Sequence, residues 1–140
     1  MKQVAEEALR SKAITQGQYD ETMASLEANP CNGVDRALSE ATKAEWAPVI
    51  ATHEAAKSVD VLQAFRLDRW HIIYVNTGMS DPPYLFYSDS PLKSKPLGLW
   101  SGAAMIFETR DVEKWVVENI PGVPLKLAQC FAWHVTLNPN

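Results

Sequence analysis

Apolar side chains recur every three or four positions over the first 58 residues, and from Val59 onward they come in short runs and alternations. The change of period divides the chain into a helical part, 1–58, and a sheet-plus-helix part, 59–140, within a single domain. In the first stretch Val4, Ala5, Ala8 and Leu9 share one side of a helix over residues 1–12. In "AITQGQYDETMASLEAN", Thr15 and Gln18 stand at capping-box spacing and Ile14 and Tyr19 at staple spacing, which predicts a second helix. Its inward stripe is Tyr19, Met23 and Leu26, forming a helical hairpin that "NPCNG" ends. A third helical stretch, Val34 to about Lys57, turns Ala37, Leu38, Ala41, Trp46, Val49 and Ile50 inward, with Pro48 breaking or kinking it.

The second part opens with "VLQAFRLDRWHIIYVNTG", one or two strands of which "WHIIYV" is apolar on both faces, as in a strand inside a sheet. "GMSDPP" is a turn, "YLFYSD" a third strand and "SPLKSKPLG" a loop. "WSGAAMIFE" then reads as a strand and "TRDVEKWVVENI" as a helix, capped by Thr109 or Asp111, with Val112, Trp115, Val116 and Ile120 as its stripe. "PGVP" stops it. The run "LKLAQCFAWHVTL" alternates bulky residues (Leu127, Gln129, Phe131, Trp133, Val135, Leu137) with small ones, which predicts a last strand. The expected architecture is α+β: N-terminal helices, then a mainly antiparallel sheet of about four to five strands with one helix between the last two.

With 46% hydrophobic and 21% charged residues among 140, the chain can bury a core of its own, and disorder is excluded. Seventeen acids against thirteen bases give a net charge of −4, and neither part is basic: six bases and nine acids up to Ser58, seven and eight beyond it. Without a Lys/Arg cluster a nucleic-acid role is disfavoured. In the N-terminal "MKQVAEEALRSK" two adjacent glutamates stand where a secretory signal would need an apolar core, and no run approaches a membrane span, so a cytoplasmic protein is expected. Cys31 and Cys130 are accordingly expected as free thiols.

Candidate chemistry narrows quickly. Ser101 in "GLWSGAAMIFE" resembles a nucleophile only at first sight: a hydrolase elbow places glycines two residues to either side, whereas Leu99 and Ala103 flank this serine. A triad of Ser101, His134 and Asp111 can be written down, but Ser101 reads more simply as entry into a strand, with Gly102 for backbone freedom. His53, His71 and His134 show no metal-ligand spacing, there is no C-x-x-C, and "NTGMSD" lacks the lysine and glycines of a phosphate loop. No metal or other cofactor is expected, nor catalysis.

Five tryptophans and eight Phe or Tyr are more informative. Periodicity places Trp115 and Trp133 in the core. Trp46, Trp70 and Trp100 stand near element ends, and Trp70 and Trp100 with Tyr84, Tyr87, Asp89 and Glu108 are the candidate partner-binding residues, beside the proline-rich loop from Pro91 to Pro96. In size, acidity and lack of a catalytic set the chain resembles, as a class, the immunity proteins of bacterial polymorphic toxin systems. The likeness implies a protein-binding module that neutralises a cognate toxin or effector, often a basic nuclease; no residue motif carries it, so it assigns no site residues. Two alternatives are a small-ligand or enzymatic domain with a pocket near His71, His134 and Glu108, and a homo-oligomeric structural subunit.

Overall fold

The computed structural model describes residues 15–20, 30–102, 104 and 107–137. Its elements are α1 (Glu40–His53), β1 (Asp60–Leu67), β2 (Trp70–Asn76), β3 (Tyr84–Tyr87), β4 (Gly98–Trp100), α2 (Thr109–Asn119) and α3 (Leu125–Leu137). The strands form an antiparallel sheet in the order β1-β2-β3-β4. The fold is therefore α+β, and its boundaries differ from those the periodicity suggests. Two compact units emerge: a sheet unit, Gly33–Gly102 with Asn119–Pro124, and a helical unit, Met1–Asn32 with Ala103–Glu118 and Leu125–Asn140.

In the sheet unit, α1 starts at Glu40 because the Ser39 hydroxyl accepts from the Thr42 amide at 3.1 Å, capping the first turn. The helix expected from Val34 is thus shorter. Residues ahead of the cap run alongside β1 instead, where Asp35 and Arg66 exchange both backbone hydrogen bonds at 2.8 Å. The Arg66 guanidinium holds this segment by donating to the Ala37 carbonyl, and lies 5.5 Å from the Trp46 ring centroid. Pro48 is contained within α1 without ending it, and the Thr52 hydroxyl donates to its carbonyl at 3.1 Å.

The sheet's two faces follow from its register. Ala64, Arg66, His71, Ile73, Val75, Leu85, Tyr87 and Leu99 share one face, opposite one another in successive strands. Trp46, Ile50 and Ala51 of α1 pack on that face against Val59, Val61, Ala64, Ile73, Val75, Leu85 and Tyr87. Strict alternation would turn Val61 away from Ala64; the register skips Leu62, a β-bulge that keeps both on the α1 side and leaves Leu62 exposed. The other face carries Phe65, Trp70, Ile72, Tyr74, Tyr84, Phe86, Gly98 and Trp100. The turn after α2 lies on it: a Cβ at Gly98 would stand 2.8 Å from Ile120 Cδ1, and one at Gly122 would touch the Trp70 indole at 3.5 Å.

In the helical unit, residues 16–20 are helical, and the capping box forms as read: the Thr15 amide donates to Gln18 Oε1 at 2.8 Å and the Gln18 amide to Thr15 Oγ1 at 3.2 Å. Ile14, Met23, Leu26 and the helix over 1–12 lie outside the described residues. Tyr19 packs with Phe107 and Trp133 around Leu137. The segment expected as the last strand is α3, so α2 does not stand between strands. A run of 13 residues is long for a strand and ordinary for a helix, and Leu127, Ala128, Cys130, Phe131, Ala132, His134, Thr136 and Leu137 are buried around most of its circumference. The bulky-and-small alternation was coincident with an all-round apolar helix. Cys31 and Cys130 are joined in a disulfide. The expectation of free thiols is corrected: the two cysteines stand 99 positions apart in sequence, and only the fold of this unit brings them together.

Candidate binding surface

The segment from Pro91 to Trp100 is where apolar side chains meet solvent. Its prolines and serines hold it out of regular structure: Ser94 Oγ donates to the carbonyls of Asp89 (2.9 Å) and Ser90 (3.0 Å), and the Leu92 amide donates to Ser90 Oγ at 3.2 Å. The Leu97 amide then donates to the Phe86 carbonyl at 2.7 Å, and the chain enters β4. Around this ordered bend Leu92, Leu97 and Leu99 are 44%, 47% and 49% exposed. Three exposed leucines within eight residues exceed the scatter of single apolar residues usual on a surface. Exposed Lys93 and Lys95 lie among them, and no acid occurs from Ser90 to Ser101.

On the sheet face that carries Phe65 and Trp100, an aromatic row crosses three strands. Tyr74 of β2 stacks on Tyr84 of β3 with centroids 4.1 Å apart and planes at 15°, and Trp100 of β4 stands 6.0 Å from Tyr84. Phe65 extends the row at 6.3 Å from Tyr84, with the Arg36 guanidinium 3.7 Å over its ring. Arg36 is fixed by Nε donating to the Ala64 carbonyl at 2.7 Å and a terminal nitrogen donating to Gln63 Oε1 at 3.3 Å. The row stiffens the sheet, since ring pairs on neighbouring strands add to the ladder's own hydrogen bonds. Burial, with the neighbouring Tyr74, pushes the Tyr84 phenol far above its ordinary range, so it stays neutral.

The six residues singled out from the sequence fall in different places. Trp100 and Tyr84 belong to the aromatic row, Trp100 half-buried and Tyr84 buried. Tyr87, expected at the surface, points to the α1 side and is fully buried, its hydroxyl 3.0 Å from His53 Nδ1; a strand with both faces covered buries its alternate positions alike. Asp89 Oδ1 accepts from the Ser90 amide at 2.7 Å and shapes the start of the bend. Trp70 lies half-buried under Gly122. Glu108 belongs to the helical unit, where its carbonyl accepts from Val112 at 3.0 Å and opens α2. Trp46, expected near an exposed edge, is buried, whereas Trp115 and Trp133 are half-buried rather than core.

The alternative pocket residues also separate. His71 Nδ1 is 2.8 Å from the Arg69 carbonyl, so that nitrogen carries the proton, and its ring meets Trp46 edge-on at 5.6 Å. Burial pulls the His71 pKa down, and nearby Arg66 pulls the same way, against the Arg69 carbonyl and Asp89. His134 is buried in α3 of the helical unit rather than on a strand beside His71. Ser101 is exposed and follows β4 instead of entering a strand. Thr109 is the first residue of α2, and its hydroxyl lies 2.7 Å from that of Thr136. Among the described residues no group of three or more His, Cys, Asp or Glu could hold a metal ion, and no helix is long and apolar enough to cross a membrane.

Leu92, Leu97, Leu99 and Tyr74 carry the surface and were not singled out from the sequence. The signal for the leucines is present in "PLKSKPLGLW": large apolar residues interleaved with prolines and lysines, where a loop would ordinarily be polar. No family model, curated protein or solved structure matches the chain.

Proposed function

We propose that the protein is a binding module whose sheet unit captures a protein partner through the bend from Pro91 to Trp100. The observation that carries this reading is the concentration of exposed Leu92, Leu97 and Leu99 along an ordered bend that leads into β4. Desolvating these side chains supplies the apolar centre of an interface, and the hydrogen bonds that already order the bend lower the conformational entropy lost on binding.

Charge refines the reading. Toxin capture of the immunity kind would draw on the net charge of −4 and select a basic partner. The bend itself is basic through Lys93 and Lys95, and it matches a partner surface that is apolar at its centre and acidic at its rim. The local charge is the better guide, since exposed charges more than a Debye length away are largely screened.

The test is capture from lysate of the source cell with the parent protein and with Leu97→Ser/Leu99→Ser, both half-exposed positions whose change should leave the melting temperature nearly unaltered. A partner retained by the parent and lost by the variant supports the reading. Equal retention by both removes the bend from the interface.

A further inference from the structure

The chain passes from the helical unit into the sheet unit within the turn 30–33, at the peptide link Asn32–Gly33. Both residues are exposed, and Gly33 has φ of 88°, a conformation that favours glycine. The chain is anchored on either side of this link. Cys31 is bonded to Cys130, and beyond Gly33 the Val34 side chain is buried while Asp35 and Arg66 exchange backbone hydrogen bonds at 2.8 Å.

Of the six asparagines in the sequence, Asn32 alone precedes a glycine. The difference is chemical. A backbone nitrogen can attack the carboxamide carbon of the asparagine before it, and glycine presents that nitrogen with no Cβ beside it. Asn29 and Asn138 precede prolines, whose nitrogen carries no proton. Asn76 and Asn119 precede Thr77 and Ile120, whose branched Cβ crowds the nitrogen. Asn76 Oδ1 is also engaged, accepting from the Gly78 amide at 3.0 Å, and Asn119 is held as the last residue of α2.

We propose that Asn32 is a self-modification site at the junction of the two units, its carboxamide being converted to a carboxylate by the Gly33 nitrogen and water. Gly33 N gives up its proton and bonds to Asn32 Cγ; the Cγ–Nδ2 bond breaks, and Nδ2 takes up a proton and leaves as ammonia. The product is a five-membered cyclic imide. Water then adds to one of its two carbonyl carbons, and the bond from that carbon to the nitrogen breaks. Opening at Cγ gives aspartate. Opening at the main-chain carbon gives isoaspartate, in which the chain runs through Cβ and Cγ and is longer by one methylene. No electrons are exchanged. Either product makes the net charge of −4 more negative by one.

The experiment is incubation of the folded full chain in heavy-oxygen water at mildly alkaline pH, then ion exchange, digestion in ordinary water and peptide mapping by mass. Expected is an acidic species with one heavy oxygen at residue 32, formed at least about tenfold faster than any product at Asn76 or Asn119. Asn32→Gln, whose longer side chain would have to close a six-membered ring, should keep the parent's melting temperature at this exposed position and form no such species. The inference is overturned if residue 32 keeps its amide throughout, if it loses it no faster than Asn76 or Asn119, or if Asn32→Gln yields the acidic species at the parent's rate.

Discussion

At the scale of single residues, the indole that holds the sheet unit is Trp46. Buried in α1 between His71 and the Arg66 guanidinium, it should cost about 3–5 kcal/mol when changed to alanine, by the usual loss for a buried aromatic. Trp115→Ala, at a half-buried position, should cost less; denaturant titration of both variants checks the order. His71 gives a pH-dependent counterpart. Its folded pKa lies below the ordinary value of about 6.5, so the unfolded chain takes up the proton first as pH falls. The stability it contributes is complete above about pH 6.5 and is lost progressively below that value, toward the lower folded pKa. The urea midpoint should therefore drop between pH 7 and pH 5, and drop less in His71→Asn, whose amide can still donate to the Arg69 carbonyl.

Single elements show how far the pattern of the sequence reaches. The capping box of Thr15 and Gln18, the strands β1 to β3 and helix α2 were legible, because each is decided within a few residues by hydrogen bonding or periodicity. Helix α3 was not, since an all-round apolar run satisfies the template of a buried strand as well as that of a helix. The start of α1 was missed because Ser39, a sufficient cap, stands within a longer alanine-rich stretch. For the binding surface, Trp100 was legible as an aromatic at an element end, but the burial of Tyr87 depends on α1 covering its face, which no local pattern encodes. The β1–β2 connection supports a prediction at this scale. Leu67 pairs with Trp70 across the two-residue turn Asp68-Arg69, and Asp68 has φ of 55°, a region that favours glycine. Asp68→Gly should raise stability by up to about 1 kcal/mol, read from the thermal midpoint; a fall would show that the aspartate's own local bonding outweighs its backbone strain.

For the molecule as a whole, the disulfide and the two compact units set the terms. Removing both cysteines as Cys31→Ser/Cys130→Ser should cost about 2–5 kcal/mol, measured against the oxidised parent. The lower end is expected if the sheet unit folds without the bond, because its own structure then already shortens the flexible loop that the bond closes. The same bond has a consequence for the integrity of the chain. Cys31 precedes the main segment of the sheet unit, Gly33–Gly102, and Cys130 follows its second, Asn119–Pro124, so the whole unit is part of a covalent ring. A protease that cuts the connection between β2 and β3, where Met79 is 63% exposed, opens that ring without detaching a fragment. The nicked protein should migrate as one species on a non-reducing gel and as two on a reducing one, with its aromatic row still joined to both halves of the cut chain.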